Sequence, residues 1–199
     1  MVAMTATADG SVDGRVLRGR RNREAIVDAL IQLYSEGQLR PTAAMVAEQA
    51  GLSTRSVYHH FDDMKSLILE VSARSEAEWR AATRPPAADM RLDQRLQSFA
   101  EHRFTRWSIT APVVRAGLVA ENRSATVAFI MQRGRQIDRA EIASTFGAEI
   151  ADTPDPEATL GGLDAVFDFS TWERLHATSG LSRAATIGVT VKLAGALLG

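Results

Sequence analysis

This sequence predicts an all-α fold, a small three-helix head followed by a larger helical body, on three observations. Apolar residues recur at helical spacing, from Ile26, Leu30 and Leu33 near one end to Ile187, Val191 and Ala194 near the other. Helix start and stop signals fall between those runs, at Gly37, Pro41-Thr42, Gly51-Leu52-Ser53, Pro85-Pro86 and Asp155-Pro156. No stretch reads as a convincing strand.

The chain has 199 residues, 45% of them hydrophobic, enough for a sizeable core. It has no run of eighteen apolar residues, so no transmembrane helix is predicted. The opening MVAMTATADGSVDG has neither periodicity nor the charged start and apolar centre of a secretory signal, and reads as a disordered tail over residues 1–14. The absence of cysteine excludes disulfides, thiolate metal sites and cysteine nucleophiles, and suits a reducing cytoplasm. A net charge of −1 excludes a globally basic coat for nucleic acid. The local distribution differs: Arg15, Arg18, Arg20, Arg21 and Arg23 fall within nine residues that contain no acid. The Arg-Gly-Arg-Arg at 18–21 suits entry into a narrow minor groove, and equally a solvated basic tail that attracts nucleic acid without specificity.

A first helix is predicted from Leu17 to Glu36, carrying Ile26, Val27, Leu30, Leu33 and Tyr34 on its apolar side and ended by Gly37. Thr42 caps the next. Over Thr42 to Lys65 two short helices are joined by a glycine turn, with Val46, Ala47, Ala50, Leu52, Val57 and Phe61 as the seam between them. Ala47 is small where the backbones approach, Gly51 tolerates the positive φ that ends the first helix, and Ser53 caps the second. Thr54, Arg55, Ser56, Tyr58 and His59 are left pointing outward. Such spacing describes a helix-turn-helix.

These residues carry a resemblance. The head resembles that of the TetR (tetracycline-repressor-like) family of bacterial transcription regulators, through Arg23, Ile26, Ala29, Leu33, Tyr34 and Gly37, then Thr42, Val46-Ala47, Ala50-Gly51-Leu52-Ser53, Val57-Tyr58, His60-Phe61 and Leu67. The resemblance implies that Tyr58 and His60 contact phosphates and that Thr54, Arg55, Ser56 and His59 face the bases. Their chemistry agrees: Arg55 can offer paired donors to guanine, and Thr54 can meet a thymine methyl. Thr42 and Ser53, at helix starts, and Arg20 and Arg21, in the basic run, complete the DNA-contact candidates. One departure stands out. The family carries a lysine three residues after the phenylalanine; here Met64 takes that place, and Lys65, about 100° further round a helix, is the substitute candidate.

After Asp62 or Asp63 as cap, a longer helix through Leu67, Ile68, Val71, Ala77 and Trp79 stops before Pro85-Pro86. The domains expected are thus a tail (1–14), a helix-turn-helix DNA-binding domain (15–62), a connecting helix (63–84) and a helical effector-binding and dimerisation domain (85–199). In the body, helices are predicted over Met90–Trp107, Thr110–Glu121 with Pro112 in its first turn, Ser124–Phe146, 156–178 and 182–198. The last two are apolar on two sides and therefore need cover on two sides. A second copy of the chain is the expected cover, over Leu163, Phe167, Ile187, Val191, Ala194 and Leu198.

The resemblance also implies a pocket for a small apolar or amphipathic effector, for which Trp79, Phe99, Phe104, Trp107, Phe129 and Met131 are the candidates. Arg103, Arg106 and Arg115 suit either an anionic effector or solvent. No cofactor is implied. His59, His60, Asp62 and Asp63 look like a metal cluster, but adjacent helical residues diverge too far to converge on one ion. The expected function is a dimeric, ligand-responsive regulator, usually a repressor, released from a palindromic operator. The alternatives are a DNA-binding regulator without an effector, or an enzyme on a helical scaffold, for which no nucleophile or acid–base pair is apparent.

Overall fold

A computed structural model describes residues 10–87 and 89–199, with side chains described from Gly14 onward. The described residues form helices and connections, with no strand among them. They fall into two compact units, the first closing at Ser72 and the second running Ala73–Gly199.

The first unit contains α1 (Gly10–Ser35), α2 (Ala43–Gln49), α3 (Thr54–His60) and the start of α4 (Met64–Ala82). α1 begins seven residues before the Leu17 that periodicity predicts; Val16 and Leu17 are exposed, so this first stretch has no buried apolar side to mark it. The tail expected over 1–14 otherwise lies outside the described residues. Ile26, Val27, Leu30, Val46, Ala47, Val57, Phe61 and Leu67 form the buried centre. Gly51 takes φ +65° at the turn, and the Leu52 amide reaches back to the Ala47 carbonyl at 2.9 Å, which closes α2 as a left-handed cap requires. Thr42 Oγ1 accepts from the Met45 amide, Ser53 Oγ from the Ser56 amide and Asp63 Oδ1 from the Ser66 amide, so α2, α3 and α4 each start on a side-chain cap.

The second unit contains the rest of α4, α5 (Leu92–Ala120), a 3₁₀ turn (Glu121–Arg123), α6 (Ala125–Ala151), α7 (Pro156–Phe167), α8 (Phe169–Trp172), a π-helical segment (Glu173–Thr178) and α9 (Arg183–Leu198). Two predicted boundaries are corrected. Pro112 lies inside α5 and does not open a separate helix. A mid-helix proline costs about 3 kcal/mol, and burial on both sides of it, from Leu96 to Ala116, outweighs that cost. The helix predicted to end at Phe146 kinks there, where the backbone leaves helical geometry (φ −120°, ψ 16°), and helical residues resume beyond it to Ala151. The helix predicted over 156–178 breaks after Phe167, where extended Asp168 caps α8 by accepting from the Ser170 amide at 2.8 Å.

The core of this unit is aromatic. Phe99 is fully enclosed and meets Phe146 and Phe167 edge-on at 5.2 and 4.7 Å between ring centres. Above it α5 and α6 are joined by charge: Arg103 donates to Asp138 at 2.6 Å and pairs with Glu141 at 2.9 Å, Arg106 pairs with the same Asp138, and Arg95 with Glu149.

Candidate nucleic-acid interface

α3 is two turns long, too short to hold itself as a helix in water. Its inner side is Val57, buried against the head, with Phe61 closing its end. That anchoring leaves Thr54, Arg55, Tyr58 and His59 exposed on the outside, with Ser56 and His60 half-buried. Tyr58 keeps 53% of its surface, much for an aromatic residue in a domain with a good core. Arg55 is exposed and offers a planar set of donors, while Thr54 and Ser53 stand at the helix start. Thr42, exposed at the start of α2, and Lys65, exposed in the first turn of α4, complete this set. Met64, in the position of the family lysine, is half-buried.

Burial, the charge of neighbouring His59 and the Arg23 guanidinium hold the His60 imidazole below its usual range. It is therefore neutral at pH 7, with one N–H to donate. Arg20 and Arg21 are exposed, but as part of α1, not as an extended arm; Arg20 pairs with Glu24 one turn on, at 3.0 Å. Among the described residues no group of histidine and acid side chains is placed to hold a metal. Sequence reading missed the two groups that hold the far end of α3, Arg23 and Glu70: they lie 47 residues apart, and only the fold brings them together.

The pocket candidates divide. Phe104 and Trp107 line a cavity with Phe167, Trp172 and Ile187, but its volume is only about 10 Å³, the space of one water. Trp79 and Phe99 are core residues flanking His102. Phe129 is 63% exposed on α6 and does not line this cavity. Met131 sits over Gly117, where its sulfur fills the space a Cβ would need.

The dimer candidates need a larger correction. Leu163, Phe167, Ile187 and Ala194 are enclosed in the protomer's own core, and Val191 and Leu198 pack against it. Of the two apolar stripes on α9, the one assigned to a partner faces inward. Leu193 (47% exposed), half-buried Val189 and exposed Ala196 form the outer one.

A short helix held from behind, with its arginine and tyrosine exposed, on a glycine-turned pair of helices, defines a helix-turn-helix DNA-binding regulator. The model for bacterial regulatory proteins of the tetR family matches residues 26–71. The chain is 31% identical over 153 residues to the HTH-type transcriptional regulator BetI of Burkholderia mallei, covering 73% of this chain and 77% of that one. In fold it is similar to a transcriptional regulator from Rhodococcus sp. Rha1 (TM-score 0.70, 17% identity, 88% of this chain and 95% of that one). It is also similar to a tetR-family transcriptional regulator from Streptomyces coelicolor (TM-score 0.63, 20% identity, 88% and 80%). The chain belongs to the TetR family of transcription regulators. Its relatives are regulators and not enzymes.

Proposed function

We propose that the protein is a homodimeric repressor that binds a near-palindromic operator and leaves it when a small apolar or amphipathic effector enters the body. The observation that carries the DNA-reading half is the outward side of α3, where Arg55 and Tyr58 are exposed on a helix whose other side is fixed. In this reading Arg55, Thr54, Ser56 and His59 meet base edges, while Tyr58, His60, Thr42, Ser53 and Lys65 meet the backbone. Two copies present two such helices, and the symmetry of the pair demands a palindrome. α4 belongs to both units, which makes it the lever by which an effector would change operator affinity, roughly 5- to 150-fold for a coupling of about 1–3 kcal/mol.

The narrowness of the cavity beside Phe104 and Trp107 favours one competing reading, a regulator with no small-molecule effector, because about 10 Å³ there admits nothing larger than water. The effector reading requires Phe104, Trp107 and Trp172 to part. Selection of bound sites from random duplexes tests the first half: the expected result is a palindrome, and recovery of unrelated sequences would defeat it. Arg55→Ala is expected to lose about 1–3 kcal/mol and relax one base position, whereas Tyr58→Phe weakens all sequences alike. Screening small apolar compounds for release of the selected duplex separates the two readings of the body.

A further inference from the structure

Arg23 belongs by sequence to the basic run that attracts DNA, yet its guanidinium, with the side chain 42% exposed, is bonded to two partners within the head. Its Nε donates to Glu70 Oε1 at 3.0 Å and one terminal nitrogen to Glu70 Oε2, a forked pair between α1 and α4. The other terminal nitrogen donates to the backbone carbonyl of His60, the last residue of α3. The guanidinium plane lies 4.1 Å over the Phe61 ring, where the chain leaves that helix. One side chain thus ties three helices at one point.

The consequences follow from the length of α3. A seven-residue helix has almost no hydrogen bonds that are not terminal, so its direction is set by whatever satisfies its ends. Ser53 holds the amino end. At the carboxyl end the Phe61 amide returns to Val57 at 2.9 Å, while the His60 carbonyl accepts from Arg23. Glu70 fixes where Arg23 stands, and Glu70 is on α4.

We propose that Arg23 and Glu70 are positioning residues for operator recognition: Glu70 aims the Arg23 guanidinium at the end of α3, which sets the angle at which Arg55 and Tyr58 meet DNA. Neither touches the duplex. Because Glu70 moves with α4, a rotation of that helix is felt directly at the end of the recognition helix. The inference rests on α3 being the operator-reading helix.

The test turns on an acid. If Arg23 were a phosphate contact restrained by Glu70, Glu70→Gln would free a cation and remove a negative charge, and the full-length protein would bind all DNA more tightly. As a positioning residue, Glu70→Gln instead weakens binding to the duplex selected by the wild type, by about tenfold for the loss of one charge-assisted contact, and leaves affinity for a random-sequence duplex and the salt dependence unchanged. Arg23→Lys, which keeps the charge but cannot serve three partners, behaves the same way. Circular dichroism and melting establish that each variant is folded, and Glu70→Asp replaces any that is not. Faster hydrogen exchange at the Val57–Phe61 amides in the variants is the independent sign of a loosened helix end. Tighter or unchanged operator binding by Glu70→Gln overturns the inference, as does a salt slope lowered by about one in Arg23→Gln, which removes the charge. A wild type that selects no duplex defeats the DNA-binding reading itself, which is a different result.

Discussion

Trp107 donates its indole N–H to the carbonyl oxygen of Phe167 at 3.0 Å, across sixty residues of chain and with both side chains buried. α7 ends at Phe167 because Asp168 turns extended to cap α8, and the break strips that carbonyl of its helical partner. The indole replaces it. Trp107→Phe keeps the ring and removes the donor, leaving a buried acceptor unpaired at a cost of about 1–3 kcal/mol. Guanidinium unfolding of the full chain, followed through the remaining tryptophans, checks this; an unchanged midpoint would show that the bond contributes nothing.

Asp138 carries the heaviest charge load in the body. Arg103 and Arg106, both buried on α5, share its carboxylate, and Arg103 also pairs with Glu141. Removing one partner from a buried ion pair typically costs about 3–5 kcal/mol, since the remaining charge stays desolvated. Asp138→Ala is expected to lose that much in denaturant titration, and a loss below about 1 kcal/mol would contradict it. Glu141 adds a pH dependence. Burial pushes its carboxyl up, but the His102 hydrogen bond and the Arg103 and Arg106 charges together outweigh that and hold it below the usual range. A carboxylate lowered in the folded state stabilises fully above its unfolded value, near pH 4.3, and that stability is lost as pH falls through the lowered one.

The head was legible because its geometry leaves few residue types free. A positive φ demanded a glycine at Gly51, the two starts demanded Thr42 and Ser53, and the seam demanded Val46, Ala47 and Val57. The body was less so, for two reasons. Pro112, Phe146 and Asp168 are each tolerated or exploited by tertiary packing in ways that local preference does not encode. The buried arginines have partners more than thirty residues away, so Arg103 and Arg106 read as solvent or effector ligands until Asp138 is seen beside them, and Arg115 until Glu173 is. The same blindness chose the stripe of α9 that packs inward, because both stripes are apolar and only packing tells them apart.

Tyr34 gives the head an alkaline limit. Burial pushes its phenol from 10.0 up to about 12, because enclosure in the head costs the charged form much of its hydration. Between those values the folded state binds a proton that the unfolded state has released. Stability of the head is therefore fully present below pH 10 and falls as pH rises towards 12. Of the chain's two tyrosines, one is expected to ionise only near pH 12 by ultraviolet absorbance, and Tyr34→Phe to remove that delayed step and flatten the decline. A single ionisation of both at ordinary pH would contradict it.

The outer side of α9 is where the proposed dimer is best tested. Ile187 is 5% exposed, so Ile187→Arg would place a charge inside the core and unfold the body, a result that says nothing about a partner. Leu193 is the informative position: it is 47% exposed, with half-buried Val189 one turn before it and exposed Ala196 one turn after. α7 adds Ala158, Gly161 and Ala165, all exposed and all small, and Gly162 brings the two helices close enough that a Cβ there would stand 3.0 Å from Leu197. A flat apolar face of this kind suits the same face of a second copy, where small residues let helices approach and Leu193 supplies the apolar area. In a wild type that sediments as a dimer, Leu193→Arg is expected to give a folded monomer with unchanged helical content and operator affinity reduced by the loss of the second head. Dimers that persist in Leu193→Arg would place the interface elsewhere on the body.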